Sequence, residues 1–105
     1  MILDVTPEVL ASASAQVAAL TGRLIATNAE HAVATSLILP PGSDLPSIKT
    51  SMSLIAQGAE HQVTAAMGNA ELTSSSAGVA ESAISYQIGD AEGAAIYTAA
   101  GGVGV

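Results

Sequence analysis

The sequence predicts an all-α chain: an antiparallel two-helix hairpin that needs further helices, from a second copy or a dedicated partner, to complete a four-helix bundle. Three observations carry this. Two long stretches place apolar residues at alternating steps of three and four, Pro40-Pro41-Gly42 interrupts them, and the 50% hydrophobic content includes only two aromatics in 105 residues. Much of that content is alanine, a strong helix former that buries little area, so close-packed helices are favoured over a sheet with bulky inward side chains.

The first helix is expected over about residues 7–38. Thr6 can cap it, Pro7 loses only an N–H that would be orphaned anyway, Glu8 meets the positive end of the dipole, and Val5 with Leu10 can form a hydrophobic staple. Leu10, Ala13, Val17, Leu20, Leu24, Thr27, His31, Ala34 and Ile38 then make one continuous stripe. Ala11, Ala15, Ala18, Gly22, Ile25, Ala29 and Val33 make a second face of mostly small residues, where another backbone can come close.

A turn over about residues 39–45 follows, because the residue before proline leaves the α region and paired prolines cannot continue the hydrogen-bond ladder. Ser43 or Asp44 can cap a second helix over about residues 46–88, with Pro46 tolerated in its first turn. Its stripe runs Ile48, Met52, Ile55, Ala59, Val63, Ala66, Ala70, Thr73, Ala77, Ala80 and Ile84, against polar Thr50, Ser53, Gln57, Glu60, Thr64, Glu71, Ser75 and Ser82. Gly58, Gly68, Gly78 and the Thr73–Ser76 run weaken it, and residues 89–105 are expected to fray into a Gly-rich tail beyond the hairpin of residues 1–88.

A hairpin of this kind has a single seam and leaves apolar stripes wet, so it demands self-association or a dedicated helical partner. The partner-facing set expected from the stripes is Leu10, Val17, Leu20, Gly22, Leu24, Ile25 and Ala29 on the first helix, with Ile48, Met52, Ile55, Val63 and Ile84 on the second.

Charge and composition exclude other classes. A net charge of −7, with Arg23 and Lys49 the only Lys or Arg residues, opposes nucleic-acid binding and disfavours an anionic membrane surface. No cysteine means no disulfide and no thiolate metal site. The first residues carry no secretory signal pattern, and no stretch is expected to reach the roughly 18 apolar residues of a spanning helix. The serines sit in no Gly-x-Ser-x-Gly elbow and there is no phosphate-binding loop, so an enzyme is not expected. Ala29-Glu30-His31 and Ala59-Glu60-His61 repeat the same three residues. With a turn near 39–45, residue i faces about residue 84 − i, which sets the two triplets roughly 12 Å out of step and argues against a shared metal site. His31 is then read as a semi-polar seam residue, and no cofactor or metal is expected.

Pro7-Glu8 at the head of the first helix, the Pro-Pro-Gly turn, the alanine-rich helices, the absence of tryptophan and Tyr86-Gln-Ile-Gly-Asp90 together resemble the mycobacterial PE family, named for its Pro-Glu motif. Val5-Thr6-Pro7-Glu8, Ala19-Leu20-Thr21-Gly22-Arg23-Leu24 and Gln57-Gly58-Ala59-Glu60-His61 resemble most the short PE type of the iron-linked type VII (ESX) secretion locus. The resemblance implies an obligate heterodimer with a PPE protein, an EspG-type chaperone acting mainly through the PPE subunit, and export from the cytoplasm to the cell envelope or beyond. It also implies a link to iron or siderophore acquisition. Tyr86 and Asp90, one helical turn apart, are the implied secretion signal. The rival expectation is a self-associating, membrane-active or pore-forming helical protein, supported by hydropathy and opposed by the acidic charge and polar stripe.

Overall fold

The chain folds as two long antiparallel helices, and the computed structural model describes residues 4–102. The predicted hairpin's first three residues and its tail's last three lie outside that range. Helix α1 (Pro7–Ser36) is joined by residues 37–44 to helix α2 (Leu45–Ala99), and no strand occurs among the described residues.

Local chemistry explains both starts. Pro7 takes the first position of α1, where Thr6 is the capping residue, but the Thr6 side chain makes no capping bond; its carbonyl accepts from the amides of Val9 and Leu10 at 3.0 and 3.2 Å. Asp44 caps α2, accepting from the Ser47 amide at 3.1 Å and the Ser47 hydroxyl at 2.8 Å. Those two bonds favour the carboxylate and hold Asp44 below the usual carboxylate range.

The end of α2 departs from the expected loosening at residue 89. The helix runs through Gly89 and Gly93 and stops where Gly101 adopts φ +85°. There the amide of Gly102 donates to the Tyr97 carbonyl and that of Gly101 to the Thr98 carbonyl, each at 3.0 Å, which closes a Schellman motif. The Gly101-Gly102 pair is the sequence signal for this stop. The Thr73–Ser76 run is likewise unbroken helix.

Packing between the arms inverts the usual pattern. Ala83 is the one buried hydrophobic among the described residues, whereas Ser14, Thr21, Ser51, Asn69 and Ser76 are all buried. On α1 the inward positions Ser14, Thr21, Asn28 and Thr35 recur every seven residues; Ile55, Gln62, Asn69, Ser76 and Ala83 do so on α2. A strict seven-residue repeat keeps one narrow stripe facing the partner helix. Because its residues are short, the backbones come close. The Ser14 hydroxyl donates across the seam to the Ser76 carbonyl at 2.6 Å, and that of Ser51 donates to the Ile38 carbonyl. A Cβ at Gly58 would lie 3.1 Å from the Thr35 Cβ and 3.2 Å from its carbonyl oxygen.

These contacts set the register. The Ser14–Ser76, Ser51–Ile38 and Thr35–Gly58 pairs sum to 90, 89 and 93, not the expected 84. Pro7 therefore sits near residue 84 and α2, which ends at Ala99, overshoots α1 by roughly 15 residues, about 22 Å.

Candidate partner interface

The hairpin measures 87 × 21 × 17 Å with a radius of gyration of 24.7 Å, nearly twice the ~13 Å expected of a compact chain of this length. Its accessible surface is 7751 Å², about 2,400 Å² more than a compact monomer of 10.3 kDa exposes. Bulky apolar side chains supply much of it: Leu20, Ile25, Met52, Val63 and Ile84 are each about half exposed or more.

The expected interface residues divide between two opposite faces. Val17, Leu20 and Leu24 line one groove, of about 620 Å³, together with Arg23, Thr27 and Leu72. Across the seam, Ile55 lines a second groove of about 430 Å³ with Ala32, Val33, Ser36 and Ala59. Two helical turns are close to seven residues, so Ile25 and Ala29 fall on the side of Ala32 and Ser36, with Gly22 seven residues before Ala29. Ile48 and Met52 share the side of Ile55 and Ala59 by the same spacing, and Val63 and Ile84 continue that stripe. The two bulky stripes therefore do not meet in one seam: that of α1 lies on one face and that of α2 on the other, with the polar seam between them. Leu10 lies near the α1 start, in a further cavity with Val5, Val9 and Tyr86.

A Cβ added at Gly22 would have nothing within 4 Å, so that face is open to an approaching helix.

Tyr86 does not stand clear of the hairpin. Its ring lines a cavity of about 380 Å³ with Asp4, Val5, Thr6, Val9 and Leu10, covering the start of α1. Pro7 and Glu8 lie at that same end, and Asp90 is exposed one turn further along α2.

The corrected register also changes the histidines. His61 lines a groove with Leu24, Asn28, Ala65 and Leu72, and His31 follows Leu24 by seven residues on the same side of α1. The two therefore lie at nearly the same level on one side of the seam, not 12 Å out of step, and His31 is an exposed residue beside the seam instead of a seam residue. No cluster of three or more His, Cys, Asp or Glu side chains occurs among the described residues.

One further expectation is overturned: α1 is long and apolar enough to cross a membrane by length and composition, with a mean hydropathy of 1.4 over its best window. The seven-residue series Ser14, Thr21, Asn28 and Thr35 faces α2, which gives those polar groups a place within the hairpin.

Comparison with known proteins locates the chain. The profile of the PE family matches residues 3–93. The chain is 47% identical over 102 residues to the PE family immunomodulator PE5 of Mycobacterium tuberculosis, covering 97% of this chain and 100% of that protein. It is 44% identical over 101 residues to the PE family immunomodulator PE15 of the same organism, covering 96% and 99%. No solved structure matches it.

Proposed function

The chain belongs to the PE family, and from that premise we propose that it is a non-enzymatic subunit of a heterodimer with a PPE protein, exported by a type VII secretion system. The observation that carries the pairing is the exposed apolar surface. Roughly 2,400 Å² beyond a compact monomer is on the scale that one subunit contributes to a large obligate interface. Two partner helices laid on the hairpin would complete a four-helix bundle.

In this reading the PPE subunit carries the main contact with an EspG-type chaperone in the cytoplasm, and Tyr86 with Asp90 is read by the secretion machinery. Delivery is to the cell envelope or outside it. The names of the relatives point the exported pair toward modulation of immune cells. The link to iron or siderophore acquisition rests on the three sequence blocks alone and has no support from the relatives' names.

The test is expression with and without a PPE protein from the same genome. Alone, the chain is expected to aggregate or fold poorly; together, the two should elute as a soluble 1:1 helical complex. A monomeric, sharply melting species from the chain alone would refute the pairing. Liposome binding by the isolated chain, with no complex formed, would favour the membrane-active rival.

A further inference from the structure

We infer that His31 and His61 form a two-imidazole site for a divalent zinc-type cation, stapling α1 to α2 near the turn end of the hairpin. The inference goes beyond the pairing described above, and its test uses the soluble complex which that reading expects.

Three placements carry it. Axially, the cross-seam pairs put residues 58–62 opposite position 31, so His61 falls within that window. Laterally, His61 lines the groove that also contains Leu24 and Asn28, and His31 lies two turns beyond Leu24 on the same side. In depth, both residues are exposed while the seam beside them is built of small side chains. Helices in such contact have axes about 8 Å apart, which puts two side chains flanking the seam on one side, at nearly the same level, within reach of one bridging ion.

The donor set selects the ion. Glu30 and Glu60 each precede a histidine by one residue and so point about 100° away from it around their helices. The site therefore offers imidazole nitrogen without carboxylate, which suits zinc, copper or nickel and not calcium or magnesium. Neutral imidazoles would each coordinate at about 2.0–2.1 Å, with water completing a tetrahedral zinc. Two protein ligands make a weaker, more exchangeable site than the three or four of a resident cofactor.

Zinc chloride titrated calorimetrically into the full chain in its soluble complex should give saturable binding of one ion per chain, with a rise in melting temperature. His31→Ala and His61→Ala should each abolish both, and His31→Gln and His61→Gln should do the same with less change in side-chain bulk. Glu30→Gln with Glu60→Gln should retain both, and calcium chloride should produce neither. Because complex formation is expected to survive the histidine changes, an intact complex that fails to bind zinc would overturn this inference and leave the pairing untouched. Full binding by either single histidine variant would also overturn it, since that is the behaviour of a lone surface imidazole.

Discussion

The seam between the helices and the two outer faces follow opposite chemical rules. Inside, where a globular protein keeps its bulky apolar residues, the hairpin buries Ser14, Thr21, Ser51, Asn69 and Ser76. Outside, where charge would be expected, it displays Leu20, Ile25, Met52 and Val63. The difference teaches that little hydrophobic burial is used within the hairpin, and in the proposed heterodimer it is left for association. A seam of short residues contributes little transfer free energy but brings the two backbones close, with each hydroxyl able to use its own or the facing helix's carbonyl. Thr21 and Thr35 donate within α1, for example, at 2.8 Å to the Val17 carbonyl and 3.1 Å to the Ala32 carbonyl. In the proposed heterodimer the hairpin is a plate whose stability comes largely from the partner that covers it.

The sharpest way to break this contrast is to charge one face at a time. In the proposed heterodimer a two-helix partner covers one face of the hairpin, so Leu20→Asp with Leu24→Asp and Met52→Asp with Val63→Asp should differ. One pair should abolish co-purification, since an unpaired buried carboxylate costs at least about 3 kcal/mol, while the other leaves it nearly intact. Loss of the complex in both would mean that the partner wraps both faces.

Next in size is one substitution made in two places. Gly58→Leu drives a side chain into the Thr35 backbone and should lower hairpin stability by about 3 kcal/mol or more, read as lost helicity and an early melt. Gly22→Leu meets nothing within 4 Å, so circular dichroism should hold or improve while co-purification falls if the partner uses that face. Equal loss of helicity in both would deny the distinction between seam and face.

Tyr86→Ala should have two separable effects. Opening the cavity over the α1 start should cost about 1–2 kcal/mol in the melting of the purified pair, the range expected for a partly exposed aromatic. Export should fail by more than this loss explains, whereas Asp90→Asn should impair export without shifting the melt. Normal export of Tyr86→Ala at an unchanged melting temperature would remove the residue from both roles.

The smallest effect belongs to the α2 cap. The folded-state pKa of Asp44 lies below its unfolded value, so its contribution is present above the ordinary carboxylate range and is lost as pH falls through the folded pKa. Asp44→Ala should therefore lower the melting temperature slightly at neutral pH and converge with the parent in acid. A difference that persists unchanged in acid would assign the effect to something other than the charged cap.

Much of the fold is legible in the chain. Steps of three and four specify helices wherever apolar side chains have one direction to face, and Pro40-Pro41-Gly42 ends the first helix because proline has no amide to donate. The Thr6, Pro7 and Asp44 region of each start is readable for the same local reasons, although only Asp44 uses its side chain as a cap. The end of α2 is harder to read, because by composition Gly89 and Gly93 outweigh the Gly101-Gly102 stop. Glycine only weakens a helix interior, by about 1 kcal/mol, and a long cooperative helix tolerates that cost.

Local periodicity does not decide which stripe turns inward. An alanine-rich helix offers several faces able to pack, and the bulkiest one is the natural choice when burial is assumed to be internal. The tertiary structure instead selects the stripe that lets two backbones approach most closely, carrying Ser14, Thr21 and Asn28 opposite Asn69 and Ser76. Register follows from that choice: shifting the cross-seam sum from 84 to about 90 brings His31 and His61 to nearly the same level and places Tyr86 over the first turn of α1. Sequence determined the two helices and their apolar stripes, because propensity and amphipathicity are properties of a segment. Only the packed pair determined face and register, because those depend on how closely two particular surfaces can meet.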